Sequence, residues 1–190
     1  MDVAEDDRLM TAAKLGDLDG IAVLFEKYHQ PLLGFFRRLS GQAQLSEDLA
    51  QETFWRILRY RKSYDPRRSF RAWMYQIARN VMNDHGRKTT RAGRIFDDRS
   101  SEEAELRARS ASDVSGEVER SDRAELLRTA LSQLPLEKRE VIVLCRFEEL
   151  PQAEIARMLG CSVGALKVRL FRALKDLKDV FVELGGEPAL

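Results

Sequence analysis

The chain has 190 residues, enough for one or two domains, each with its own core. Its 32 basic and 31 acidic side chains leave a net charge of +1, so any strong charge must be local rather than general. With 33% of residues charged and 8% aromatic, the composition fits a soluble, helix-rich protein, and no apolar run approaches a membrane span. The acidic start, Met1 to Asp7, lacks the basic flank and apolar core of a signal peptide. Cys145 and Cys161 stand at no metal-ligand or redox spacing, so buried reduced thiols and a cytoplasmic location are expected.

Met1 to Lys14 reads as a short helix and Leu18 to Leu39 as a longer one. Ile21, Leu24, Phe25, Tyr28, Leu32, Phe35, Phe36 and Leu39 recur at three- and four-residue spacing, an apolar stripe for a helical core. Pro31 predicts a kink or a break near Gln30. Gly41 to Leu45 reads as a connector, and Ser46 as the cap of a third helix, with Glu47 and Asp48 in its first turn. There Leu49, Thr53, Phe54, Ile57 and Leu58 form the inner face, and Asp48, Gln51, Glu52 and Trp55 fall outside. Two acids beside a tryptophan suit either a solvated surface or a dock for a basic partner, and spacing alone favours the first.

Between Trp55 and Arg94 twelve cations stand against two acids, a local charge of about +10. Asp65-Pro66 marks a loop over Arg61 to Ser69, and helical periodicity resumes from Phe70 to His85 with Gly86 as a stop. Phe70, Trp73 and Tyr75 interleave with this charge. Two readings fit: core aromatics beneath a solvated basic face, or a surface for DNA whose bases leave the stack.

From Asp97 to Glu125 ten acids face five arginines and large apolar residues nearly vanish, which predicts a flexible or partly helical linker. Leu126 to Leu134 reads as a helix ended by Pro135, and Glu137 to Phe147 as another. Pro151 to Arg172 then fits a helix-turn-helix. Ala156 is small at the crossing, Gly160 suits the left-handed turn, and Ser162 caps the second helix. Val163, Leu166, Leu170, Ala173, Leu174 and Leu177 form its apolar stripe. Ser162, Gly164, Ala165, Lys167, Val168, Arg169 and Arg172 lie opposite: small residues where a helix enters the major groove, then cations for bases and phosphates. A helical hairpin that never touches DNA is the competing reading. His29 and His85 have no nucleophile or ligand at a useful spacing, and neither catalysis nor a cofactor or metal is expected.

Two separated segments together carry a family resemblance. Ser46-Glu47-Asp48-Leu49-Ala50-Gln51-Glu52-Thr53-Phe54, with Phe70-Arg71-Ala72-Trp73-Met74 and Ile77 to Asp84, resembles region 2 of bacterial RNA polymerase sigma factors. Leu131 to Leu177, with Leu134-Pro135 and Arg139-Glu140-Val141, is similar to region 4. With no room for a region 1.1 or region 3 domain, the layout is that of the extracytoplasmic-function (ECF, group 4) branch of the sigma-70 family. The fold implied is all-α: a region 2 domain over 1–94, an acidic linker over 95–125 and a region 4 domain over 126–184.

The resemblance implies an alternative sigma factor that binds core RNA polymerase, selects promoters and melts the −10 region without being an enzyme. By the same resemblance Asp48, Gln51, Glu52 and Trp55 grip the β′ clamp helices. Arg67, Arg68, Ser69, Phe70, Trp73, Arg79 and Asn80 take the −10 strand and its flipped base. Ser162, Gly164, Ala165, Lys167, Arg169 and Arg172 read the −35 duplex, and their domain meets the β flap. An anti-sigma factor is the further partner implied. Gly164-Ala165-Leu166-Lys167 departs from the Gly-Thr-Val-Lys often seen there by losing a hydroxyl. One rival reading is a stand-alone helix-turn-helix regulator, against which the acidic face and the aromatic-basic segment both argue. The other is a sigma mimic that merely sequesters an anti-sigma factor, against which the intact DNA-facing Lys167, Arg169, Arg172, Arg79 and Asn80 argue.

Overall fold

The computed structural model describes residues 3–93 and 115–187, with side chains over 4–87 and 123–187. Every regular element among them is helical. The N-terminal domain consists of α1 (Val3–Leu15), α2 (Asp19–Ser40), α3 (Ala43–Tyr60), a 3-10 turn (Arg61–Ser63) and α4 (Phe70–Gly93). The C-terminal domain consists of α5 (Ser115–Gln133), α6 (Leu136–Ile142), a π turn (Val143–Phe147), α7 (Gln152–Met158) and α8 (Val163–Glu183). The stretch 95–114, most of the expected linker, lies outside the described residues, and α5 begins within the remainder.

The stripe of α2 does what its spacing predicts. Leu24, Tyr28, Leu32, Phe35, Phe36 and Leu39 are buried, and Phe35 meets Phe36 and Tyr75 edge-on with ring centroids 5.2 Å apart. Such geometry sets the positive edge of one ring against the negative face of the next. Of the kink or break expected at Pro31, the break does not occur: α2 runs through it as one helix. Tyr28 and Leu32, buried on either side of it, fix the chain direction by packing. The helix ends at Gly41, whose left-handed φ of 74° lets its N–H reach the Arg37 carbonyl at 2.9 Å.

Three further expectations are corrected. Helix α3 starts at Ala43, so Ser46 is not its cap. It lies fully buried one turn inside, its hydroxyl turned back to the Gln42 carbonyl, a local bond that competes with capping. Leu58, expected inside, is exposed. Helix α4 does not stop at Gly86 but runs to Gly93, since one glycine costs a helix only about 1 kcal/mol.

In the C-terminal domain Ala130, Leu131, Leu134, Ile142, Ala173 and Leu177 form a private core between α5, α6 and α8. Val141, Val143, Leu144, Leu150, Ile155, Ala156, Met158 and Leu166 instead join the apolar cluster of the N-terminal domain. The two domains are therefore docked, with one face of the C-terminal domain sharing the N-terminal core.

Candidate nucleic-acid and protein-docking surfaces

On α3, spacings of four, three and four residues set Asp48, Glu52, Trp55 and Arg59 along one outer strip, with Gln51 beside it. Asp48 and Gln51 are exposed, and Trp55 is 51% exposed. Arg56 ties Glu52 to Asp84 of α4 through ion pairs of 2.7 Å each, which fixes the acid's position. The Arg59 guanidinium stacks 4.9 Å from the Trp55 ring and 5.8 Å from that of Tyr60, itself exposed. An exposed tryptophan held by a cation and flanked by acids has the makings of a protein-docking anchor. Arg59 and Tyr60 extend the expected set; their four- and five-residue offsets from Trp55 were the available signal.

The loop before α4 is pinned from two directions. Ser69 caps α4, its hydroxyl accepting the Ala72 N–H at 3.2 Å. Asp7 of α1, 63 residues away, accepts the Phe70 N–H at 2.6 Å and the Tyr64 hydroxyl at 3.2 Å. That hydroxyl also lies 2.8 Å from the Arg68 carbonyl, and Lys14 donates to the Tyr64 carbonyl at 2.6 Å. Tyr64, buried beside Trp73, has its hydroxyl pushed well above the ordinary range, first by burial and then by the charge of Asp7. Asp7, Lys14 and Tyr64 were invisible to local pattern reading.

The expected −10 residues divide into groups. Arg67 is exposed and holds Asp65 at 2.9 Å, a bond that keeps the Asp65 carboxyl down at about 2. Asn80 is exposed, with Gln76 donating to it at 3.3 Å, and Trp73 is half-buried. Phe70 and Tyr75 are fully buried, so neither offers a face to an unstacked base. Periodicity could not tell which aromatics of α4 would turn inward.

Arg68 and Arg79 point to the seam with the C-terminal domain. Arg79 pairs with Glu140 at 2.9 Å and reaches the Met158 carbonyl, while Arg68 lies 3.7 Å from Glu154. Beside them the Glu148 carboxylate accepts the Tyr75 hydroxyl and lies 3.5 Å from Arg38, and Arg71 donates to the Glu148 carbonyl. Burial pushes the Glu148 carboxyl up, against the pull of the Tyr75 hydroxyl, Arg38 and Arg71. Burial likewise raises Glu140 against the pull of Arg79.

The helix-turn-helix forms as its residues predict. Ile155 and Ala156 are buried, Gly160 turns the chain at φ 62°, and the Ser162 hydroxyl caps α8 by accepting the Ala165 N–H at 3.1 Å. Leu166, Ala173 and Leu177 face inward, though Val163 is 38% exposed. Ser162, Gly164, Lys167, Arg169 and Arg172 are exposed and Ala165 is half-buried. Among the described residues no ion pair engages Lys167, Arg169 or Arg172. Val168 and Phe171 stand exposed between these cations.

No helix among the described residues is long and apolar enough to cross a membrane, and no cluster of three metal-ligating side chains occurs among them. Fold and surfaces together define a class: a two-module helical protein with a cation-faced helix-turn-helix and a separate exposed aromatic-acidic strip.

Comparison with known proteins narrows that class. Residues 24–92 match the family model for sigma-70 region 2, and residues 124–177 match that for sigma-70 region 4. The chain is 33% identical over 174 residues to the RNA polymerase sigma factor CarQ of Myxococcus xanthus, covering 92% of this chain and 96% of the relative. It is 31% identical over 171 residues to the ECF RNA polymerase sigma factor SigL of Mycobacterium tuberculosis, covering 85% and 89%. Among solved structures it resembles CnrH in complex with the cytosolic domain of CnrY, with a TM-score of 0.66, 26% identity and coverage of 94% and 98%. The chain belongs to the ECF group of sigma-70-family RNA polymerase sigma factors. It is therefore a transcription initiation factor, in a family of promoter-directing proteins rather than enzymes.

Proposed function

We propose that the chain divides its work as a sigma factor among three surfaces. Asp48, Gln51, Glu52 and Trp55, extended by Arg59 and Tyr60, dock on the clamp helices of the polymerase β′ subunit. Arg67, Arg68, Ser69, Trp73, Arg79 and Asn80 take the displaced −10 strand, with buried Phe70 as the wall that sets the loop rather than a stacking platform. Ser162, Gly164, Ala165, Lys167, Arg169 and Arg172 present α8 to the −35 major groove, and the same domain meets the β flap.

One observation carries this reading: α8 is capped and turned so that Lys167, Arg169 and Arg172 face solvent with no ion pair among the described residues, while Leu166, Ala173 and Leu177 of its apolar stripe are buried. A major groove needs that arrangement, with small residues entering first and cations following. Linking two DNA-binding modules in one chain raises the effective concentration at the second element once the first is held. The protein works in the cytoplasm, where the polymerase is. An anti-sigma factor restrains it, in keeping with the structural relative solved with the CnrY cytosolic domain.

Run-off transcription with core polymerase on a promoter library tests the assignment. Starts that require this protein and share two spaced sequence elements are expected. Trp55→Ala should abolish them by weakening core binding, and Asn80→Ala by weakening opening while core binding stays intact. Starts that survive both substitutions would overturn the division of roles.

A further inference from the structure

Three carboxylates of the C-terminal domain face four arginines of the N-terminal domain across the seam. Glu140 meets Arg79, Glu154 meets Arg68, and Glu148 inserts between Arg38, Arg71 and Tyr75. To a guanidinium, a carboxylate and a phosphodiester present the same target, anionic oxygens matched to its fork of donors. One set of cations cannot serve both at once.

The backbone that delivers Glu148 is unusual at two consecutive places. Val143–Phe147 forms a π turn, a rare widening of a helix that tends to occur at functional sites. Glu149 then takes a left-handed φ of 46°, uncommon for any residue other than glycine. Together they end the helix so that Glu148 enters the seam, with its N–H bonded to the Val143 carbonyl at 3.0 Å. Phe147 packs alongside, its ring 4.5 Å from the Arg38 guanidinium. A cleft of about 220 Å³, lined by Gly34, Arg38, Arg71, Tyr75, Phe147 and Glu148, opens solvent to this point.

We propose that the chain closes on itself through an acid latch. Glu140, Glu148 and Glu154 occupy, as internal stand-ins for DNA phosphates, a cationic strip made by Arg38, Arg68, Arg71 and Arg79. Docking of the C-terminal domain and binding of a DNA strand to that strip therefore exclude each other. The proposal rests on the −10 assignment of Arg68 and Arg79, and it adds Arg38 and Arg71 as anion contacts. Burial raises the Glu140 and Glu148 carboxyls against the pull of the arginines, so holding them charged in the closed seam carries a desolvation cost. A polyanion that offers several phosphates in a row can displace it.

The test compares two full-length variants of equal charge. One carries Glu140→Ala, Glu148→Ala and Glu154→Ala. The control carries Glu5→Ala, Asp19→Ala and Glu26→Ala, three exposed acids outside the seam. Small-angle scattering should show a larger radius of gyration for the seam variant alone. A fluorescein-labelled single-stranded oligonucleotide of about 20 nucleotides should bind the seam variant on the order of tenfold more tightly than the control at one salt concentration. Circular dichroism checks that helix content is kept. The single Glu154→Ala change, on a partly exposed side chain of α7, should move both readouts in the same direction by less.

Equal affinities for seam variant and control, or no change in radius of gyration, would overturn the latch. Run-off transcription with wild-type protein separates this from failure of the parent reading. If wild type directs starts but the two variants bind the strand equally, the latch alone is lost. If wild type directs none, the promoter assignment fails whatever the variants do.

Discussion

Replacing Asp7 with alanine should loosen the first turn of α4, the segment assigned to −10 capture. The carboxylate accepts the Phe70 N–H at 2.6 Å, and Phe70 is fully buried, so no water replaces the lost acceptor without rearrangement. An unsatisfied buried N–H costs about 1–3 kcal/mol. Loss of a negative charge at a helix N-terminus adds about 0.3–1 kcal/mol. The Tyr64 hydroxyl loses little, because the Arg68 carbonyl remains 2.8 Å away. We expect about 2 kcal/mol in total, equivalent to roughly thirtyfold in an opening equilibrium. Hydrogen exchange at the Phe70 amide should accelerate by that factor, while the α8 amides stay unchanged. Asp7→Asn keeps an acceptor oxygen and should lose about half as much, since charged acceptors bond roughly twice as strongly as neutral ones. In the holoenzyme, 2-aminopurine fluorescence at the −10 bases should report slower unstacking with −35 affinity intact. An Asp7→Ala chain whose Phe70 amide exchanges at the wild-type rate would refute the argument.

Other consequences follow from the same geometry. Ser162→Ala removes the α8 cap and should cost about 1 kcal/mol in urea unfolding, with weaker −35 binding; an unchanged midpoint would show the cap to be redundant. Gly160→Ala forces a side chain into a left-handed turn and should destabilise by about 1–2 kcal/mol, read as a lower melting temperature. Arg169→Ala should flatten the salt dependence of −35 binding by about one unit of slope if it meets a phosphate; an unchanged slope removes it from the contacts. Because burial holds Glu140 and Glu148 above the ordinary carboxylate range, docking takes up protons as the seam closes. Closure should therefore be favoured as pH falls through the raised values towards the ordinary one, and that contribution should fade as pH rises past them. Scattering at about pH 5 and about pH 8 measures this, and a chain that opens on acidification would contradict it.

What could be read in advance was local. The helix-turn-helix rests on Ala156, Gly160, Ser162 and a stripe with fixed offsets, each of which acts on neighbours within a few residues. The α2 stripe and the outward strip of α3 were legible for the same reason. Failures fall where a choice is made by distant chain. Ser46 has the chemistry of a cap, but Gly41 ends α2 early enough for α3 to begin before it. Phe70 and Tyr75 could equally face a base or a core until Tyr28 and Phe35 are known to pack on them. Asp7 caps a helix 63 residues ahead, and Glu148 meets α2 and α4 from the other domain. No window along the sequence contains both members of such pairs.

The two apolar clusters of the C-terminal domain carry an evolutionary corollary. Residues in the private cluster, such as Leu131 and Leu177, answer to one set of neighbours. Leu150, Ile155 and Met158 sit in the cluster that crosses between domains, so each must suit its own module and a surface of the other. Drift at these positions is coupled: a change in volume at Met158 is best accommodated by a matching change across the seam. Sets of related chains should show such compensation between the two modules, while the private cluster varies independently of the N-terminal domain.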